Sequence, residues 1–274
     1  MLNLEELKNH ASKIREGIIR GTYHAKSGHP GGSLSIADIL TVLYFEEMNI
    51  DPKNPKMENR DRFVLSKGHC APALYATLAE RGYFDMKEME NLRHLGHFLQ
   101  GHPDMKRVPG VDVSSGSLGQ GLSIANGMAL YAKAENKDFR VYAVLGDGEI
   151  QEGQVWEAAM SAAHYKLDNL TIFVDNNNLQ IDGTVDSVMS PYPIDKKFEA
   201  FGFNVINIDG HNYDEIRAAI KNAKETKGKP TAIVAKTIKG KGVSFMENKA
   251  NWHGSAPNAE QANDAIKELT GGAL

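Results

Sequence analysis

Residues 141–183 read VYAVLGDGEIQEGQVWEAAMSAAHYKLDNLTIFVDNNNLQIDG. Two apolar runs, Val141–Leu145 and Leu170–Val174, have the composition of buried strands. Each stops at a polar turn, Gly146-Asp147-Gly148 after the first and Asp175-Asn176-Asn177 after the second. Between them, Gly153–Tyr165 carries apolar residues at helical spacing. Strand, helix, strand in this order predicts a parallel pair with a right-handed crossover, which brings both strand ends to one edge of the sheet. Asp147 and Asn177, 30 positions apart, then converge there. A carboxylate and an amide oxygen suit Mg²⁺ or Ca²⁺, hard cations that take oxygen ligands. Gly146 and Gly148 let the backbone approach closely and offer N–H groups to an anion. A lone GDG is no more than a tight turn. Joined at this distance to a pair of asparagines, it specifies a metal-bridged phosphate ester.

The same alternation runs outward from this unit. Downstream, strands are expected at Asn204–Ile208 and Thr231–Ala235, with helices at Ile194–Phe201 and Tyr213–Glu225 and a last helix over Asn258–Leu269. Upstream, Phe63–Leu65 reads as a short strand, and Leu4–Ile19, Ile36–Met48, Ala71–Glu80 and Gly121–Glu135 read as helices. The expected fold is α/β, a parallel sheet with helices on both faces, forming a single domain over residues 1–274. Ligands of such sheets bind at the edge where the strands end. Leu95–Gln120 has no helical period and is rich in Gly, His, Ser and Pro. A long irregular stretch inside a compact domain is usually functional or disordered, and since this one is not low-complexity it reads as functional.

Composition excludes several classes. Apolar residues make up 41% and charged residues 24%, an ordinary globular profile. The net charge of -4 is spread over mixed acids and bases, so no nucleic acid and no membrane surface is expected as a partner. No run is apolar and long enough to span a bilayer, and the opening MLNLEELKNH has no secretory pattern. The single cysteine, Cys70, fits a reducing cytoplasm and reads as a packed small hydrophobe. No GxGxxG opens a helix after a strand, which argues against a dinucleotide fold.

With Asp147, Gly148 and Asn177 in place, the segment resembles the diphosphate-binding signature of thiamine-diphosphate enzymes. Other segments narrow the resemblance to transketolases: Ser27–Gly31 (SGHPG), Asp61–His69 (DRFVLSKGH), Gly101–Asp104 (GHPD, where the family has GHPE), Gly116–Gly121 (GSLGQG, with Ser117 where proline is common) and Trp252–Gly254 (WHG). They follow in order over essentially the whole chain. The resemblance implies ketol transfer between sugar phosphates with thiamine diphosphate and Mg²⁺ or Ca²⁺ as cofactors. It implies that Asp147, Asn177 and the carbonyl of Leu179 hold the metal. Gly148 would contact the diphosphate, and Gly116, Ser117 and Leu118 the rest of the cofactor. His29, His69, His102 and His253 would line the substrate channel, with His29 and His253 handling protons and His69 and His102 binding the donor or the cofactor. Glu152 resembles the acid that contacts an activating glutamate of a second, pyrimidine-binding domain.

That second domain is not present in these 274 residues. The expectation is a split enzyme whose N-terminal subunit this is, assembled with a C-terminal transketolase subunit into a heterotetramer and inactive alone. Two rivals share parts of the pattern. The α subunit of a 2-oxo acid dehydrogenase carries GDG and NN, and 1-deoxyxylulose-phosphate synthase is related; SGHPG, DRFVLSKGH and GSLGQG favour a sugar channel over either. A noncatalytic transketolase half would have lost the metal ligands or the histidines, which are present here. The remaining histidines, His10, His24, His94, His97 and His164, read as structural, and His211 as a cap on the turn DGHN.

Overall fold

A computed structural model describes residues 1–274. Five strands run parallel: β1 (Arg62–Leu65), β2 (Val141–Gly146), β3 (Leu170–Asn176), β6 (Asn204–Asp209) and β7 (Thr231–Lys236). Their order in the sheet is β1-β2-β3-β7-β6. The remaining strands, β4 (Leu179–Gln180) and β5 (Gly183–Thr184), make a small antiparallel hairpin just past β3. The helices are α1 (Leu4–Ala25), α2 (Pro30–Leu34), α3 (Ala37–Val42), α4 (Ala71–Arg81), α5 (Gln120–Ala134), α6 (Gly153–His164), α7 (Val185–Val188), α8 (Ile194–Ala200), α9 (Tyr213–Glu225) and α10 (Ala259–Thr270).

Period-two alternation along the central strands sends side chains to two cores. Tyr142, Val144 and Phe173 point into the one that includes Leu7, Ile14 and Leu74 of α1 and α4. Val141, Ala143, Leu145, Ile172 and Val174 point into the one that includes Leu122, Ala129 and Ala159 of α5 and α6. Both faces are covered, which is why these strands read as continuous apolar runs.

Three helices depart from the sequence reading. α1 runs on to Ala25 rather than ending at Ile19. Gly21, inside the added turns, is a close-packing position: a Cβ there would lie 3.0 Å from Met89 Cε and 3.2 Å from the Met89 carbonyl oxygen. The glycine-rich SGHPGGS segment is helical from Pro30, whose fixed φ suits a first turn. Gly31 in that turn packs against the Trp252 carbonyl, where a Cβ would come within 2.8 Å. The helix expected over Ile36–Met48 is α3 followed by a π-helical turn at Leu43–Glu47.

A buried ion network joins α1 and α3 to the loops after β6 and β7. Arg15 grips Asp38 through two bonds of 3.1 and 2.6 Å. Tyr213 donates to Asp38 at 2.6 Å, and His211 Nδ1 lies 2.8 Å from the same carboxylate. The other ring nitrogen of His211 accepts the Ile238 N–H at 2.9 Å, so Nδ1 carries the proton and donates to Asp38. His211 therefore ties two loops to a helix, and its own turn is closed by Asp209, which accepts the His211 backbone N–H. Burial alone would push the Asp38 carboxyl up, but Arg15 and His211 outweigh it and hold it well below the usual carboxylate range. A carboxyl depressed by folding contributes stability above its unfolded pKa and loses it as pH falls. Asp38→Asn should thus cost about 3 kcal/mol at neutral pH by leaving Arg15 buried without its counter-ion. The gap from wild type should narrow below about pH 4. Urea melts of both proteins at about pH 7 and about pH 2.5 read this out.

Candidate active site

Four strand ends deliver the site. After β1 come Ser66, Lys67 and His69; after β2, Gly146 to Glu152; after β3, Asn177 to Ile181; after β7, Thr237 and Lys239. A cavity of about 320 Å³ opens between them. Its lining includes His29, His69 and His253, Gly116 and Leu118, Asp147, Gly148 and Glu152, and Asn177 and Leu179.

Asp147 and Asn177 line this one cavity, each just past the Gly146–Asp175 pair of the β2–β3 register. Asp147 is buried and accepts N–H bonds from Gly148 at 2.9 Å and Asn178 at 2.5 Å. Burial, with the Asp175 carboxylate close by, pushes the Asp147 carboxyl up to about 7. The amide of Asn177 is oriented by two bonds: its Nδ2 donates to Asp175 at 3.0 Å and its Oδ1 accepts from Leu179 N–H at 3.1 Å. A buried carboxylate beside a fixed amide oxygen fits a hard divalent ion. The chain has no cluster of three His, Cys, Asp or Glu that could hold a metal by itself. Oxygen ligands from a bound phosphate ester would complete such a site. Gly148 packs closely on Gln180, where a Cβ would lie 3.3 Å from Gln180 Cβ, and Gln180 Nε2 is buried without a partner.

Three imidazoles from three separate segments share the cavity with this acid and amide. The ring centroids of His29 and His69 are 5.1 Å apart, those of His29 and His253 5.4 Å, and those of His69 and His253 5.1 Å. All three are held neutral. Burial pushes His29 down to about 4, aided by Arg93, His102 and Lys239. Burial and then Lys67 bring His69 to about 2, and burial and then Lys239 bring His253 to about 3. A neutral imidazole both donates and accepts a proton. The Nδ1 of His29 is buried with no hydrogen-bond partner in the protein.

His102 and Ser117 stand apart from that lining. His102 is exposed beside the cavity, its ring packed on Gly116, where a Cβ would come within 2.9 Å of it. It borders an adjoining shallow cleft with Gly101, Pro103 and Lys106. Its carbonyl is anchored by the Tyr75 hydroxyl at 2.7 Å. Ser117 is exposed between Gly116 and Leu118. Glu152 lines the cavity and is itself exposed, at the N-cap of α6.

Four charged residues that hold the site together escaped the sequence reading. Asp175 is fully buried and accepts from Lys67 Nζ, Thr237 Oγ1 and, at 2.7 Å, Ser35 Oγ. Lys67 also donates to the Gly32 carbonyl at 2.8 Å, so the β1 loop, β3 and α2 share one ion pair. Glu149 accepts the backbone N–H groups of Gly119 and Gly146, each at 3.0 Å, pinning GSLGQG to the turn after β2. Lys239 reaches the Leu179 carbonyl at 3.0 Å and His253 Nδ1 at 2.8 Å. Burial and then Lys67 pull its ammonium down to about 8. The available signal was a charge next to an apolar strand end, as in VLSK and FVD, or a basic Gly-rich segment after a strand, as in KTIKGKG.

The chain matches the family model for the transketolase thiamine diphosphate binding domain over residues 7–271. It is 46% identical over 264 residues to the 6-deoxy-6-sulfo-D-fructose transketolase subunit SqwG of a Clostridium species, covering 96% of each protein. It is 42% identical over 269 residues to one subunit of the apulose-4-phosphate transketolase of Phocaeicola vulgatus, covering 98% of this chain and 95% of that one. Among solved structures, transketolase from Campylobacter jejuni superposes with a TM-score of 0.92 at 37% identity. The match covers 98% of this chain and 43% of that one. On the domain model, on relatives matched along nearly their full length, and on the fold, the chain belongs to the transketolase family.

Proposed function

We propose that this chain is the N-terminal subunit of a two-subunit transketolase, moving a two-carbon ketol unit from a ketose phosphate to an aldose phosphate. One observation carries the chemistry: Asp147 and Asn177 at the sheet edge line a single cavity together with three neutral imidazoles. The two-chain reading is supported by relatives that are themselves named transketolase subunits and that this chain covers almost entirely.

Thiamine diphosphate, bound with Mg²⁺ or Ca²⁺, supplies the electron sink for the carbon–carbon bond that breaks. The chain supplies the holding and the protons. Asp147, Asn177 and the carbonyl of Leu179 would hold the metal, and Gly148, beside Asp147 in the same lining, would border the diphosphate. The positive charge of Lys239, beside Leu179, favours the same anion. Gly116, Ser117, Leu118 and His69 contact the remainder of the cofactor. His29 and His253 take and return protons at the donor hydroxyl and carbonyl, and His102 binds sugar hydroxyls at the mouth.

Glu152 is exposed beside the cavity and contacts an activating glutamate on the partner, a C-terminal transketolase subunit with a pyrimidine-binding domain. Two chains of each kind form a heterotetramer. Leu118 and Ile181 fit that arrangement: both line the cavity and are apolar and exposed, as expected of a surface that a partner covers. Ile181→Glu should leave the chain folded yet weaken assembly at least about tenfold, the cost of a moderate interface anchor. Sedimentation of the mixed subunits measures it.

The function is tested by ketol transfer from xylulose 5-phosphate to ribose 5-phosphate with thiamine diphosphate and Mg²⁺. Activity is expected only when this chain is mixed with a pyrimidine-domain chain. Full activity of this chain alone contradicts the two-subunit reading. Activity of the mixture on pyruvate, with none on the sugar, contradicts the transketolase reading.

A further inference from the structure

Arg93 sits where the chain turns back between Asn91 and the GHPD segment, with φ at +62° and its backbone N–H bonded to the Leu99 carbonyl at 2.8 Å. A left-handed conformation is unfavourable for a long side chain and persists where the surroundings enforce it. The guanidinium reaches across to two loops. Nη1 donates to Ser27 Oγ at 3.0 Å and Nη2 to the Gly101 carbonyl at 3.4 Å. Ser27 lies two residues before His29, and Gly101 immediately precedes His102. Gly101 permits the approach, since a Cβ there would lie 3.0 Å from Arg93 Cζ and 3.1 Å from Nε. Nε is buried without a partner, and the two bonded groups, a hydroxyl and a carbonyl, carry no charge. The chain thus places a permanent cation behind the histidines and uses it as a bracket between their loops.

We propose that Arg93 is the positioning residue of this site, its guanidinium fixing the His29 loop against the His102 loop and keeping a positive charge beside both imidazoles. The proposal rests on the reading of the site as a transketolase half. Its consequence is that protonation of His29 and His102 is disfavoured and their loops stay correctly spaced. Besides Arg93, His29 faces His69, His102, His253 and Lys239, while His102 faces Arg93 and His29. Burial lowers both histidines first, and Arg93 is the next cause for each.

The test compares Arg93→Gln, which removes the charge, with Arg93→Lys, which keeps the charge and loses the fork. Both are assayed in the complex with the partner subunit, with xylulose 5-phosphate and ribose 5-phosphate over a range of pH. Arg93→Gln is expected to lower kcat about tenfold or more and to move the acid limb of kcat/KM up by about 0.5 pH unit or more. Arg93→Lys should lower kcat while leaving the limb in place. In parallel, NMR titration of the His29 and His102 ring protons in this chain, without cofactor, should show both midpoints rising in Arg93→Gln and unmoved in Arg93→Lys. Midpoints and acid limb both unchanged in Arg93→Gln, even with kcat reduced, overturn the proposal. An inactive wild-type mixture would overturn the transketolase reading, while the NMR arm still decides the role of Arg93. Should Arg93→Gln fail to fold, Ser27→Ala cuts the bracket and spares the charge. A fall in kcat of about three-fold or more with the limb in place is then expected, and a wild-type kcat overturns the proposal.

Discussion

Asp147→Asn, assembled with its partner, should bind Mg²⁺ at least about 100-fold more weakly than wild type, exceeding the 10–100-fold that loss of a supporting contact costs. Ketol transfer at ordinary Mg²⁺ should fall in step. The reason lies in the balance of charge. Asp147 is buried and brings a carboxylate to the edge where Asn177 offers only a neutral oxygen. Replacing the carboxylate by an amide removes the ionic attraction in a place where water screens little. The fold should survive. Asp147 accepts the N–H groups of Gly148 and Asn178, and an amide oxygen can still take one of them. Titration calorimetry with Mg²⁺ and thiamine diphosphate, alongside a melting curve, separates lost ligation from lost folding. Wild-type metal affinity in this variant would remove Asp147 from the metal site.

The second large effect is at the imidazoles. Alanine at His29 or at His253 should reduce turnover by about 10²–10⁴-fold, the usual contribution of a positioned proton donor or acceptor. Their neighbours explain why two such groups are needed at one place. Each ring touches the other two of the triad within 5.4 Å of centroid separation, so a proton leaving one sugar atom finds a second acceptor within reach. His29 keeps Nδ1 without a protein partner, whereas His253 Nδ1 is engaged by Lys239. Removing His29 should therefore affect turnover with cofactor affinity nearly unchanged. Removing His253 should also loosen the cofactor, because Lys239 loses its partner. Unchanged turnover with cofactor bound, in either variant, would deny these proton roles.

Much of this site was legible in sequence because it is built from strand ends. An apolar run that stops at Gly-Asp-Gly or Asp-Asn-Asn locates a residue at a sheet edge without any knowledge of packing, and Asp147 and Asn177 fell where that logic put them. The ring of His29, His69 and His253 needed the resemblance as well, since the three come from distant segments that only the fold assembles. What stayed hidden was long-range pairing. Lys67 and Asp175 look like ordinary charges flanking strands, yet they form a buried ion pair over a sequence separation of 108. His211 looks like a turn cap and is a strut between Asp38 and Ile238. In each case the local pattern is correct chemistry for an isolated segment, and a tertiary partner overrides it.

Everything proposed for this chain depends on the edge carrying Asp147 and Asn177 being half of a thiamine diphosphate site that a second chain completes. Calorimetric titration of thiamine diphosphate, with Mg²⁺ present, into this chain alone, into the pyrimidine-domain chain alone and into their equimolar mixture tests it most directly. The predicted result is weak binding to this chain and at least about tenfold tighter binding to the mixture, as expected when a second surface preorganises and encloses a ligand. Equal affinity of this chain with and without the partner, or no binding by the mixture, would contradict it.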